Sequence, residues 1–100
     1  MSVNIELALF VDGLTGREQA WEVVHALAAV LRDERIDDEV RIGVGELDGE
    51  FIVSGESEYP LVITRFYAWR PAFERAVTEA VGKVAPHARP AVEWGYPDER

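Results

Sequence analysis

The chain has no cysteine, only two histidines, and ten basic residues against nineteen acids. Without cysteine there is no disulfide, no thiolate nucleophile and no cysteine-based zinc site. Serine is scarce as well: Ser2, Ser54 and Ser57 stand in no nucleophile-elbow context, so no serine triad can be assigned by spacing. A net charge of −9 argues against nucleic acid as a partner, because phosphate binding needs clustered Lys and Arg. No apolar run approaches the ~20 residues of a membrane span. The opening Met1-Ser2-Val3-Asn4-Ile5-Glu6 has neither the basic region nor the apolar run of a secretory signal. A cytoplasmic protein without a membrane partner is expected.

What is present is enough for one core. One hundred residues with 48% hydrophobic content and ten aromatic rings suit a single domain over 1–100, and the apolar residues recur in periodic segments. Val3, Ile5, Leu7, Leu9 and Val11 alternate with Asn4, Glu6, Ala8, Phe10 and Asp12, the period of a half-buried strand. Asp12-Gly13-Leu14 turns the chain, and Thr15-Gly16-Arg17-Glu18 has the spacing of a capping box ahead of a helix to about Asp33. Its apolar stripe is Ala20, Val24, Leu27 and Leu31.

Val40, Ile42 and Val44 mark a second strand. Asp48-Gly49 predicts a type I′ turn, since both central positions need positive φ, and Glu50 to Val53 should return antiparallel. Pro60 bends or breaks the segment up to Phe66, which reads equally as one bent strand or two short ones. A second helix is expected with Pro71 at its first position and Phe73, Val77, Ala80, Val81 and Val84 on its buried face. Val92, Trp94 and Tyr96 close the chain as a last strand. The order β-α-β-β-(β)-α-β, with right-handed crossovers, places two helices on one face of an antiparallel sheet. This α+β arrangement resembles the ferredoxin-like split βαβ plan, and a fold of that kind carries no function with it.

Such a plan leaves one sheet face without helices. If the odd-numbered residues of the first strand face the helices, Asn4, Glu6, Ala8 and Phe10 line the open side. Val62, Thr64 and Phe66, or else Leu61, Ile63 and Arg65, join them there. Burying about 400 Å² of that strip would contribute on the order of 10 kcal/mol before association costs. A homodimer, a second protein, the bend near Gly55 or the C-terminal tail are the candidates to cover it. The second lead is charge. Between Arg41 and Arg65 stand Glu46, Asp48, Glu50, Glu56 and Glu58 with no base among them, an anionic stretch expected at the hairpin tip and the connection after it, apart from the open face.

The remaining candidates read as structural. His25 and His87 belong to solvated surface. Asp37-Asp38-Glu39 and Asp48-Gly49-Glu50 lack the alternating oxygens of a calcium loop. The loop from Asp12 to Arg17 resembles the Gly-bearing loop of ACT-type regulatory domains in one acid and one glycine. The rings of Tyr67, Trp69, Trp94 and Tyr96 are expected mainly in the core. No catalytic constellation, metal site or cofactor motif emerges. The expected function is a small acidic interaction module, of the inhibitor or immunity type, that binds a basic protein through its anionic hairpin. The alternative is a dimeric small-molecule sensor or enzyme that uses an aromatic-lined open face.

Overall fold

Five strands form one antiparallel sheet with β1 at its centre. The computed structural model describes residues 2–97. Along the chain it comprises β1 (Ser2–Asp12), α1 (Arg17–Asp33), β2 (Val40–Leu47), β3 (Glu50–Ser57), β4 (Leu61–Thr64), α2 (Phe66–Val84) and β5 (Arg89–Gly95). Residues 8–11 of β1 pair with β3 and also with β5, so these two strands lie on opposite edges of β1 and the sheet runs β2-β3-β1-β5. β4 pairs with the beginning of β1, from Ser2↔Thr64 to Ile5↔Leu61.

The alternation in β1 dictates the core. Ile5, Leu7, Leu9 and Val11 are buried against the helices, joined by Val53, Leu61 and Ile63 from neighbouring strands. α1 contributes Ala20, Val23, Leu27 and Leu31, and α2 contributes Phe66, Phe73, Val77 and Val81. Val23 takes the inward position on α1, and Val24 is half-buried beside it. The two helices pack on each other over this one face of the sheet. The split βαβ expectation is met.

Asp48 and Gly49 have φ of 53° and 82°, so the β2–β3 hairpin closes on the type I′ turn their sequence predicts. The segment before α2 is two strands. From Ala8 to Ile5 β1 advances three residues, whereas its partners advance five, from Glu56 to Leu61. The two extra residues bend the chain at Glu58, Tyr59 and Pro60, and the Ser57 hydroxyl accepts the Leu7 N–H there at 3.0 Å.

Three local expectations are corrected. α1 has Gly16 at its N-cap with no side-chain cap; the Thr15 N–H instead donates to Gln19 Oε1 at 2.8 Å, so the Thr15–Glu18 box does not form. α2 begins at Phe66, five residues before Pro71, because Arg65 adopts the left-handed conformation (φ 55°, ψ 46°) and turns β4 directly into the helix. Phe66 therefore does not lie on the open face. It is buried beneath α2, where its ring meets Trp94 edge-on at 5.2 Å between centroids.

Candidate functional site

The β2–β3 hairpin outruns the sheet. The last β1 pair is Val11↔Val53, and Gly45↔Ile52, Glu46↔Phe51 and Leu47↔Glu50 follow beyond it. β1 ends at Asp12, level with the Gly45–Ile52 pair, so at about 3.3 Å per residue the two pairs beyond project roughly 7 Å past it. Its underside is braced: Val44 and Phe51, both packed against the core, line a hollow of about 310 Å³ with Arg17, Trp21 and Glu46. At the tip Leu47 is 55% exposed, and Glu46, Asp48 and Glu50 around it are exposed as well. Among the described residues none of these three acids has an ion-pair partner.

The other two acids of the anionic stretch lie elsewhere. Glu58 pairs with Arg41 (Nη2 to Oε2, 3.4 Å), because the hairpin register sets the start of β2 beside the end of β3. Glu56 stands opposite Arg41 on one side and Ala8 on the other. It is part of the open face, so the expected separation between the anionic stretch and that face does not hold for Glu56. The five acids divide into three toward the tip, Glu58 in the bend after β3 with its ion pair to Arg41, and Glu56 on the open face opposite Arg41 in register.

Register lays out the open face in rungs. One rung reads Gly45, Ile52, Asp12, Arg89; the next Gly43, Ser54, Phe10, Ala91; the next Arg41, Glu56, Ala8, Glu93, each from β2 to β5. Only the first needs its β1 member placed by continuing the β1–β3 register by one step. Beyond them lie Val62 and Thr64 of β4, with Val62 67% exposed. Arg89 Nε donates to Asp12 Oδ1 at 2.8 Å, a cross-strand ion pair on this face. The face is shallow where small residues interrupt the larger ones: one depression of about 470 Å³ lies over Gly43, Ser54 and Glu56, and another of about 280 Å³ over Ala8, Glu93 and Gly95. Phe10 is its one ring among these rungs, so the open face is not aromatic-lined.

Of the rings expected in the core, Trp69, Trp94 and Tyr96 pack against it, whereas Tyr67 is 72% exposed. Trp69 stacks on Phe73 at 4.7 Å, and Trp94 meets Phe73 edge-on at 5.8 Å. Their polar edges reach carboxylates: Trp69 Nε1 donates to Glu34 at 2.7 Å and Trp94 Nε1 to Glu74 at 3.0 Å. Tyr96 packs against Phe66, on the helix side, and the end of the C-terminal tail, residues 98–100, lies outside the described residues.

The Asp12–Arg17 loop is occupied by structure. Gly13 (φ 74°) runs so close to the next connection that an added Cβ would meet the His87 carbonyl oxygen at 3.0 Å. His25 and His87 are exposed. No polar or charged side chain among the described residues is buried, so the ionisable groups there work in contact with solvent. Among those residues no three of His, Asp and Glu come together to hold a metal ion, and no helix is long and apolar enough to cross a membrane.

Sequence reasoning missed Leu47, Arg41 and Glu93. Leu47 carried a readable signal, an apolar residue beside a two-residue turn; the other two acquire meaning only from strand register.

No protein-family model matches the chain, and no curated protein matches it in sequence. Solved structures do match in shape. A dimeric ferredoxin-like protein from an uncultured marine organism has a TM-score of 0.58 at 10% identity, with 93% of this chain and 94% of that one covered. The de novo designed protein Foldit4 has a TM-score of 0.56 at 12% identity, covering 95% and 97%. A Streptococcus pneumoniae protein has a TM-score of 0.52 at 15% identity, covering 93% and 86%. The chain has a ferredoxin-like fold.

Proposed function

We propose that this chain is a protein-interaction module that grips a basic partner with the tip of its β2–β3 arm, in the manner of a small acidic inhibitor or immunity protein. One observation carries the reading: a braced arm holds exposed Leu47 beside Asp48 and Glu50, with Glu46 on the arm's other face, and among the described residues none of the three acids has an ion-pair partner. Burying the Leu47 side chain in a partner pocket supplies about 1.5–3 kcal/mol. The carboxylates of Glu46, Asp48 and Glu50 steer a basic partner and make association salt-dependent. Glu56 and Glu58 contribute to the long-range field only, because Arg41 stands beside both.

The test is capture of soluble proteins from the source cells on the immobilised chain, with the captured protein identified by mass spectrometry and then titrated in pure form. Glu46→Lys, Asp48→Lys and Glu50→Lys together should abolish capture, and Leu47→Asp should weaken it at least ten-fold. Capture unchanged by the triple reversal overturns the proposal.

A second reading, homodimerisation through the open sheet face, is favoured by that face's shallow surface with exposed Val62 and by the dimeric state of the marine ferredoxin-like neighbour. The two readings use different surfaces and are compatible.

A further inference from the structure

Resting on the homodimer reading, we propose that two copies stack open face to open face about a two-fold axis that runs along the strands, between β1 and β3. Such an axis turns the sheet over and exchanges its two sides. β2 then faces the β5 of the second copy, and β3 faces its β1, rung against the same rung. Arg41 meets Glu93 of the other copy, Ser54 meets Phe10, and Gly43 meets Ala91.

In this arrangement size matches on the middle rung and charge on the Arg41–Glu93 rung. The ring of Phe10 stands over Ser54 and beside Gly43, where an added Cβ would still meet nothing within 4 Å. Gly45 leaves room over the Asp12–Arg89 ion pair. Arg41, with its side chain 81% exposed and ion-paired to its own Glu58 at 3.4 Å, has donors left to reach Glu93 of the second copy, and the symmetry makes that pair twice. Stacked sheets lie about 10 Å apart and cross at about 30°, which tilts the axis by half that angle. For an edge strand about 7 Å from the axis the facing residues shift by about 4 Å, within the reach of an Arg and a Glu side chain.

The footprint sets the strength. Four strands at about 4.8 Å and seven residues at about 3.3 Å cover roughly 440 Å² per copy, below the roughly 600 Å² per copy at which stable specific interfaces begin and in the range of transient ones. The dimer is therefore weak and concentration-dependent.

Sedimentation equilibrium tests the pairing. Arg41→Glu and Glu93→Arg should each weaken the dimer about ten-fold or more, since each turns two attractive pairs into repulsive ones. The double variant should return to within about three-fold of the parent, because additivity fails for residues in contact. A parent that stays monomeric at every concentration overturns the homodimer reading and the pairing with it. A dimer that the double variant fails to restore overturns the pairing alone, as does restoration by Arg89→Glu with Glu93→Arg, which puts the axis across the strands. Cysteine cross-linking is independent of charge. A Gly43→Cys chain mixed with an Ala91→Cys chain should be joined by a short bis-maleimide faster than Gly43→Cys with itself, and equal rates overturn the proposal.

Discussion

A methyl group added at Gly55 would stand 2.9 Å from the Arg41 carbonyl oxygen and 3.1 Å from Ile42 Cγ1, in the interior of the β2–β3 ladder. The carbonyl cannot retreat without disturbing strand pairing, and the half-buried Ile42 side chain would have to repack. Gly55→Ala should therefore cost about 1–3 kcal/mol, as overpacked cores do, read as a lower denaturant midpoint at unchanged slope. Gly49 is the contrast. Nothing surrounds it, and only its φ of 82° opposes a side chain, so Gly49→Ala should cost about 1 kcal/mol. Gly49 is legible in the sequence because the Asp-Gly pair names its own conformation. Gly55 is not, since its requirement comes from residues on another strand. The same holds for Phe66, which continues the spacing of Val62 and Thr64 yet belongs to α2: nothing in an arginine announces that Arg65 will take positive φ and end the strand.

Both helices start without the devices their sequences advertise. Gly16 has extended backbone at the α1 N-cap and open space around it, so Gly16→Asp adds an acceptor for the free amides of the first turn. A gain of a few tenths of a kcal/mol in thermal or chemical unfolding is expected. Pro71 is exposed inside α2 and cannot donate to the Tyr67 carbonyl, so Pro71→Ala should stabilise by about 1 kcal/mol or more. Failure of either variant to rise would mean that the start of that helix is held by contacts other than backbone hydrogen bonds. Element order and the inward face of β1 were readable because period-two alternation over nine residues has one structural solution. Helix starts were not, because Gln19 competes with Glu18 for the same turn and tertiary packing of Phe66 outweighs a proline's preference.

At the scale of the whole molecule, nineteen acids on a body of 41 × 25 × 20 Å repel one another. Moderate salt should raise the unfolding midpoint by screening, in contrast to its effect on capture of a basic partner. Of the candidate surfaces, composition revealed the acids but not their division, which depends on Arg41 meeting Glu58 across a hairpin. The bend between β3 and β4 has a consequence for how this chain can vary. Its surplus is two residues, an even number, so inward and outward positions keep their phase from Val53 through Leu61 and Ile63. Natural relatives should lengthen or shorten this connection in steps of two. A single-residue deletion there would turn Val62 inward and Ile63 outward, and with them the whole approach to α2.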